Sequence, residues 1–267
     1  MFGAIEAGGT KFVCAVGTGP DDLLVGEPIP TTTPRETLSA VLAFFQPYRL
    51  QAVGVGSFGP VDLAAGRITR TAPKLAWRGF GLRKALEDGL GVPAYLDTDV
   101  NAAAWGEYRF GNAPDPFLYV TVGTGIGGGG VVNGRLLHGK LHPEMGHLLL
   151  PRAAGDTFVG LCPAHRDCLE GMASGLAIAA RRHTNEHHFT VEYLAAGLLS
   201  LSYAYSPLRI ILGGGVMKTP KLRTAITKRM RELNAGYAPL PSVVAPKLGD
   251  RSGVLGALAL VLRPGGQ

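Results

Sequence analysis

The pattern of apolar and polar positions predicts short strands that alternate with amphipathic helices. Apolar segments typical of strands open the chain at Gly3–Ala7, Phe12–Gly17 and Leu23–Glu27. Thr33 and Glu36 then form a capping-box sequence with proline at the first helical position, and apolar residues follow at helical spacing. The opening of the chain is therefore predicted to be three strands followed by a helix.

The alternation continues to the end of the chain. Further strands are predicted at Gln51–Gly56, Ala94–Asp97, Phe117–Val122, Gly129–Asn133 and Arg209–Leu212. Further helices are predicted at Gly81–Leu90, Val100–Arg109, Cys168–Arg182, Thr190–Ser206, Leu222–Gly236 and Ser252–Leu262. The series of strand, glycine turn and strand, followed by alternating helices and strands, occurs twice, which predicts a duplicated α/β unit. Two such halves would leave a cleft for a ligand.

The repeat divides the chain into two predicted domains, with a boundary near Asn101–Ala113. The smaller N-terminal α/β domain covers residues 1–105, and residues 252–267 return to it as a helix. The larger C-terminal α/β domain covers residues 106–251 and carries a cluster of cysteine and histidine. A chain of 267 residues, of which 46% are hydrophobic, is long enough for two cores.

Composition and charge exclude several classes of protein. Only 17% of the residues are charged and 39 are glycine, which indicates tight turns rather than disorder. The net charge is +6, but lysine and arginine are scattered, which favours solvated helix faces over nucleic-acid binding and is compatible with a nucleotide substrate. No apolar run reaches the roughly 18 residues of a membrane span, and residues 1–20 lack a signal-peptide pattern. We expect a cytoplasmic protein with reduced thiols.

Glycine-rich turns occur at equivalent places in the two halves. Ala7–Lys11 and Gly123–Gly128 each join two predicted strands, and a third run, Gly213–Gly215, lies between a strand and a helix. Glycine lets backbone N–H groups approach phosphate oxygens. Each turn alone also fits an ordinary hairpin, whereas three at strand ends favour a bound nucleotide. The second turn matches G-x-G-x-x-G, but a strand follows it, which excludes the dinucleotide fingerprint.

One carboxylate and one Cys/His cluster are candidates for chemistry. Asp99 follows a strand and precedes a helix, so it is either the helix N-cap or a general base for phosphoryl transfer. Cys162, His165 and Cys168 follow His147, and two thiolates with two imidazoles suit a tetrahedral zinc site. The alternative is a pair of buried cysteines beside a surface histidine.

Taken together, the motifs resemble those of the ROK family, whose members are repressors, open-reading-frame proteins and sugar kinases. The matching segments span nearly the whole chain in the family's order: Glu6–Lys11, Asp99–Asn101, Gly123–Gly127, Glu144–His147, the Cys/His cluster ending at Glu170, and Leu212–Gly215. Three further segments are similar to the zinc-containing bacterial fructokinase branch: Gly56–Asp62, His142–His147 and Cys162–Cys168. The resemblance implies a duplicated actin-like ATPase (ribonuclease H-like) two-domain fold with a central cleft, and an ATP-dependent hexose kinase.

The resemblance also implies a role for each matching residue. Asp99 would be the general base. The phosphates of ATP would be bound by Gly8, Gly9, Thr10, Lys11, Thr121, Gly123 and Thr124, and the adenosine bordered by Gly213, Gly214 and Gly215. The sugar would be held by Gly59, Asn101, Glu144, His147 and Glu170. A structural Zn²⁺ would be held by His147, Cys162, His165 and Cys168. The resemblance further implies Mg²⁺ on the phosphates and a homodimer.

Departures from the family pattern narrow the assignment. Most members have Asp where this chain has Glu6, at a position linked to magnesium and phosphate, and glucokinase-like members have Asn where this chain has Thr98. These differences favour a fructokinase over a glucokinase. Another hexose kinase, for glucose, mannose or an N-acetylhexosamine, and a sugar-binding protein without catalysis stay open as alternatives. A repressor is not expected, because the first glycine motif begins at residue 6 and leaves no room for a helix-turn-helix.

The zinc is predicted to be structural but to control sugar binding. Four protein ligands leave no open position for a catalytic water. His147 lies three residues after Glu144, and Cys168 lies two residues before Glu170, so ligation would hold both carboxylates that the resemblance assigns to the sugar. We therefore expect removal of zinc to weaken sugar binding and to leave the nucleotide turns unaffected.

Overall fold

A computed structural model describes residues 1–181 and 186–262, and its elements follow the predicted alternation. The first part of the chain forms β1 (Phe2–Ala7), β2 (Lys11–Gly17), β3 (Leu24–Val25), β4 (Ile29–Pro30), α1 (Pro34–Phe45), β5 (Val53–Ser57), β6 (Val61–Asp62), β7 (Arg67–Ile68), α2 (Leu82–Leu90), β8 (Ala94–Thr98) and α3 (Asp99–Arg109). The rest forms β9 (Phe117–Val122), β10 (Ile126–Val132), β11 (Arg135–Leu136), α4 (Leu169–Ala173), α5 (Gly175–Ala180), α6 (Glu186–Tyr205), β12 (Arg209–Gly213), α7 (Pro220–Asn234), β13 (Ser242–Val244) and α8 (Ser252–Val261).

The chain divides into two compact units, and it passes between them more than once. Unit 1 contains Met1–Ala113, Leu136–His142 and the described part of Lys247–Gln267. Unit 2 contains Pro114–Arg135 and the described part of Pro143–Pro246. Seven residues, Leu136–His142, therefore belong to unit 1 although the residues on either side of them belong to unit 2.

The sheet of unit 1 is mixed, with the strand order β3-β2-β1-β5-β8 and β4 beside β2. β1 pairs antiparallel with β2 and parallel with β5, and β5 pairs parallel with β8. Side chains alternate across this sheet, so Ile5 lies in the larger core with Phe12 and Trp77, whereas Ala4 packs against Leu258 of α8. The predicted capping box is confirmed, because the Thr33 hydroxyl accepts the Glu36 N–H and the Glu36 carboxylate accepts the Thr33 N–H.

The sheet of unit 2 has the strand order β11-β10-β9-β12-β13. β10 pairs antiparallel with β9, and β12 pairs parallel with both β9 and β13. The predicted start of β10 at Gly129 is wrong, because Ile126 and Gly127 already pair with Val122 and Thr121. The second glycine turn is therefore shorter than the sequence suggested, and the glycines after Ile126 belong to the strand.

Two other predicted elements differ in the structure. The predicted strand Leu23–Glu27 is shortened to β3, and β4 begins beyond it at Ile29. The predicted helix Cys168–Arg182, whose last residue lies outside the described residues, is two helices, α4 and α5. Ser174 ends α4 and caps α5, because its hydroxyl accepts the N–H of Ala177 at 3.3 Å.

Unit 2 also contains a buried ion pair that the sequence did not indicate. Arg181 donates from both terminal nitrogens to the Asp156 carboxylate at 2.8 Å, and the Tyr193 hydroxyl donates to the same carboxylate at 2.7 Å. The guanidinium also lies 4.2 Å from the centre of the Phe158 ring. Burial alone would raise the pKa of Asp156, but the hydrogen bonds from Arg181, Phe158 and Tyr193 hold that pKa at about 2.

Candidate active site

The first glycine turn, between β1 and β2, is fixed by a threonine from another segment. The N–H of Gly8 donates to the Lys11 carbonyl at 2.9 Å. Thr31 donates its hydroxyl to the Gly8 carbonyl at 2.8 Å and its N–H to the Thr10 carbonyl at 3.0 Å. These hydrogen bonds engage backbone carbonyls of the turn. Thr10 and Lys11, in the same turn, are exposed. The sequence reading missed Thr31, which carries no motif of its own.

Glu6, at the end of β1, lies against the start of α8. A Cβ atom added at Gly253 would lie 2.6 Å from Glu6 Oε1 and 2.7 Å from Oε2, so a larger residue there would force this carboxylate to move. Burial raises the pKa of Glu6, Lys11 lowers it, and Asp250 raises it again. Glu6 is therefore a partly buried carboxyl at the position where the resemblance places an Asp linked to magnesium and phosphate.

The capping interpretation of Asp99 is wrong, because the residue before it caps the helix. Thr98 is the N-cap of α3, and its hydroxyl accepts the N–H of Asn101 at 3.1 Å. Asp99 is the first helical residue, is partly exposed, and accepts the N–H of Val100 at 2.9 Å. The helix therefore does not need the Asp99 carboxylate as its cap.

The residues around Asp99 are bound to a buried carboxylate. Asp97 Oδ1 accepts the N–H of Thr98 at 2.8 Å and the side-chain amide of Asn101 at 3.0 Å. His138 Nε2 lies 3.0 Å from Asp97 Oδ2 and 3.2 Å from Oδ1. Asn101 Oδ1 is buried and has no hydrogen-bond partner among residues 1–181 and 186–262. The sequence reading missed both Asp97 and His138.

Gly59 lies in the loop between β5 and β6, beside a second histidine of unit 1. The loop is fixed where the N–H of Phe58 donates to the Ala7 carbonyl at 2.7 Å. His142 is buried, and its Nε2 accepts the N–H of Val61 at 3.0 Å. A Cβ atom added at Gly59 would lie 3.6 Å from the His142 ring, so the ring lies close to this glycine.

The second glycine turn, in unit 2, is bonded to Glu170. Glu170 Oε2 accepts the N–H of Ile126 at 2.9 Å. A side chain at Gly125 would overlap that carboxylate, and the Gly123 carbonyl accepts the N–H of Gly175 at 2.7 Å. Thr124 is exposed at the centre of the turn. The carboxylate that the resemblance assigns to the sugar thus contacts the backbone of the turn that it assigns to the nucleotide.

The third glycine run follows β12, and close packing explains the need for glycine at two of its positions. Gly214 has a φ of +94°, and a side chain there would overlap the backbone of Val122. A Cβ atom at Gly213 would lie 2.8 Å from the Tyr119 hydroxyl. Gly215 is exposed, and no described atom lies within 4 Å of where its Cβ would be. The run forms the turn into a short 3-10 helix, Gly215–Lys218.

The four predicted zinc ligands come together in unit 2. Their donor atoms, from His147, Cys162, His165 and Cys168, all lie within 4.8 Å of one another. The two cysteines are buried, His147 is partly buried and His165 is exposed. His147 directs Nδ1 at the cysteines, whereas its Nε2 lies 3.8 Å from Glu144 Oε2. One nitrogen of this ring thus belongs to the cluster, and the other lies beside Glu144.

The distances in the cluster fit a tetrahedral zinc ion. His147 Nδ1 lies 3.6 Å from Cys162 Sγ and 3.5 Å from Cys168 Sγ, and His165 Nδ1 lies 3.7 Å from Cys162 Sγ. Metal–sulfur bonds of ~2.3 Å and metal–nitrogen bonds of ~2.0 Å at tetrahedral angles separate sulfur from nitrogen by about 3.5 Å. Burial raises the pKa of the Cys168 thiol to about 11, so zinc binding must release its proton.

Comparison with known proteins identifies the family. A family model described as the ROK family matches residues 2–264, and the chain belongs to the ROK family. Its mixed α/β sheets are those of the actin-like ATPase fold of ROK kinases, as the sequence predicted. None of the helices in the described part of the chain combines the length and the apolar character that crossing a membrane requires.

Fructokinases are among the most similar relatives. The chain is 39% identical to a fructokinase of Pediococcus pentosaceus, over 97% of this chain and 97% of that protein. It is 38% identical to a fructokinase of Zymomonas mobilis, over 98% of this chain and 96% of that protein. Among solved structures, it is similar to a ROK family glucokinase from Streptomyces griseus in complex with glucose and AMPPNP. The TM-score is 0.80 and the identity 27%, over 97% of this chain and 98% of that one.

Proposed function

We propose that this protein is an ATP-dependent fructokinase that phosphorylates the 6-hydroxyl of fructose. The observation that carries the proposal is its 38–39% identity to fructokinases over nearly the whole chain, compared with 27% to a ROK glucokinase of the same fold. The position of Asp99 at the first turn of α3, with Thr98 as the cap, supports a catalytic carboxylate there.

In the proposed reaction, the sugar hydroxyl oxygen attacks the γ-phosphorus of ATP. A new P–O bond forms, the bond to the β-phosphate oxygen breaks, and ADP leaves. Asp99 accepts the hydroxyl proton. Backbone N–H groups of Gly9, Thr10, Thr124 and Gly125 stabilise the charge of the transferred group, since those of Gly8 and Gly123 donate to carbonyls within their own turns. Bound Mg²⁺ would neutralise phosphate charge, and Glu6 is the residue proposed to lie nearest to it.

Four residues are proposed to hold the sugar: Asn101, Glu144, His147 and Glu170. Asn101 offers a buried acceptor, Oδ1, which needs a donor. The other three lie in or beside the cluster of cysteine and histidine. His147 belongs to the cluster, Glu144 lies beside His147, and Glu170 lies two residues after Cys168. A bound Zn²⁺ would supply rigidity to these residues and no catalytic water, since four side chains fill its coordination. The homodimer and the cytoplasmic location stay predictions.

A coupled assay of ADP release over a panel of sugars tests the proposal. Fructose, glucose, mannose and N-acetylhexosamines are compared at equal ATP, with Asp99→Asn as the matched control for background hydrolysis. The expected result is the highest kcat/KM for fructose and a loss of turnover in the control. Preference for another hexose would make the protein a different ROK kinase. Sugar binding without ADP release would make it a non-catalytic sugar-binding protein.

A further inference from the structure

Two histidines hold the short segment Leu136–His142 in unit 1. His138 lies at hydrogen-bond distance from the Asp97 carboxylate, and His142 accepts the N–H of Val61. Near the first of these contacts, Asn101 donates its amide to the Leu137 carbonyl at 3.5 Å. The segment is thus attached at the start of β6 and at the junction between β8 and α3.

The Asp97 carboxylate binds residues on both sides of Asp99. It accepts the backbone N–H of Thr98, which comes just before Asp99, and the side-chain amide of Asn101, which comes two residues after it. Asp97 is only 2% exposed, so its position is determined by the groups that bind it. Because Thr98 and Asn101 are fixed to the same carboxylate, the first turn of α3 has little freedom to rotate.

His138, which lies outside the helix, contacts the same Asp97 carboxylate. Its Nε2 lies 3.0 Å and 3.2 Å from the two Asp97 oxygens, and a hydrogen bond to a carboxylate here uses the tautomer with the proton on Nε2. The imidazole is about one-third exposed, so a substitution there removes the hydrogen bond without creating a large buried cavity. A buried carboxylate that loses one of its donors moves or becomes hydrated, and Thr98 and Asn101 would follow it.

We propose that His138 is a positioning residue: through Asp97, it fixes the first turn of α3 and with it the carboxylate of Asp99. The inference rests on the proposed role of Asp99 as general base. A carboxylate displaced by a fraction of an ångström is a poorer proton acceptor, because efficient transfer requires hydrogen-bond distance to the sugar hydroxyl. His138 therefore affects the chemical step, and the affinity for nucleotide does not depend on it.

The test combines substitutions of His138 with Asp99→Asn. His138→Ala is expected to lower kcat about 10-fold, with KM for ATP unchanged. His138→Gln, whose amide nitrogen can take the place of Nε2, is expected to retain most of kcat, whereas His138→Asn, whose amide is too short, is not. In the Asp99→Asn background, His138→Ala is expected to cause no further loss, because the residue through which it acts is already absent.

The outcomes separate the inference from the proposed function. If Asp99→Asn keeps a normal kcat, the base assignment fails. If Asp99→Asn loses kcat but His138→Ala does not, or if His138→Ala lowers kcat equally in both backgrounds, the positioning role of His138 is overturned. His188→Ala, at an exposed histidine of α6, is the control and should keep the wild-type kcat. Thermal unfolding of each variant reports folding separately from turnover.

Discussion

The Glu170 carboxylate accepts the backbone N–H of Ile126 at 2.9 Å, and Glu170 lies two residues after the buried thiol of Cys168. The backbone of Gly146, next to His147, packs closely against the Ile126 carbonyl as well. Residues beside the Cys/His cluster of unit 2 thus contact the backbone of the second glycine turn at Ile126. The sequence predicted an effect of zinc on the sugar alone, whereas these contacts favour an effect on the nucleotide turn as well.

We predict that loss of zinc weakens the binding of nucleotide as well as sugar. Cys168→Ser should reduce the zinc content and raise both dissociation constants by about 10–100-fold, the range typical when groups that orient a site are disturbed. Metal analysis and separate titrations with sugar and with a non-hydrolysable nucleotide provide the measurement. Cys14→Ser, at a buried cysteine of β2 outside the cluster, is the control for loss of a thiol. Unchanged nucleotide affinity in the zinc-free protein would contradict the prediction.

Asp99→Asn should lower kcat by at least ~10²-fold, because the amide cannot accept the hydroxyl proton. Thr98 caps the helix, so the fold should be retained. Steady-state kinetics measure the loss, and sugar titration checks that binding is preserved. A variant with nearly normal kcat would remove Asp99 from the proposed mechanism.

Thr10 and Thr124 lie exposed in the two glycine turns and should matter for ATP. Replacing either by Val removes a hydroxyl that can donate to a charged phosphate, which is expected to raise KM for ATP about 10-fold. Sugar affinity should change little. Thr224→Val, at an exposed position of α7, provides the matched control. A fall in sugar affinity with normal KM for ATP would show that the turns are misassigned.

Gly253→Ala should displace the Glu6 carboxylate, since the added methyl group would lie 2.6 Å from Oε1. If Glu6 acts near the phosphates as proposed, activity should fall by about 10–100-fold. Glu6→Asp shortens the side chain, so the double variant should recover part of the loss. Kinetics as a function of magnesium concentration provide the measurement. A double variant as impaired as Gly253→Ala alone would show that the overlap with Glu6 is not the cause.

Arg181→Met should destabilise unit 2 strongly, because it leaves the Asp156 carboxylate buried without its partner. Breaking a buried ion pair in this way costs about 3–5 kcal/mol. Chemical unfolding monitored by circular dichroism measures the free energy of unfolding. Lys84→Met, at the exposed pair of Lys84 with Asp88, should leave stability nearly unchanged.

The same ion pair predicts a dependence of stability on pH. The pKa of Asp156 is held at about 2, below its ordinary value of 3.8, so the unfolded chain binds its proton at higher pH than the folded protein does. The resulting stabilisation, roughly 2 kcal/mol, is present above the unfolded pKa and is lost as pH falls through about 2. Unfolding curves between pH 2 and 6 should show this loss in the wild type and a reduced slope in Arg181→Met.

The sequence by itself determined the local structure where a single physical signal acts over a few residues. Thr33 and Glu36 identified the start of α1 because a capping box satisfies its hydrogen bonds within one turn. The spacing of Cys162, His165 and Cys168 indicated a group of side chains that could hold a metal ion, since two thiolates and imidazoles suit zinc. The order of glycine turns and the position of Asp99 indicated the family and the proposed chemistry.

Tertiary structure decided the contacts between residues that are far apart in the chain. No local pattern could show that His138 would reach Asp97, that Glu170 would bind the N–H of Ile126, or that Thr31 would fix the first glycine turn. Each of these partners is an ordinary polar residue whose bond depends on how strands and loops pack. The sequence therefore determined which chemical groups are present, and the fold determined which of them orient the others, because orientation depends on distances that chain spacing does not set.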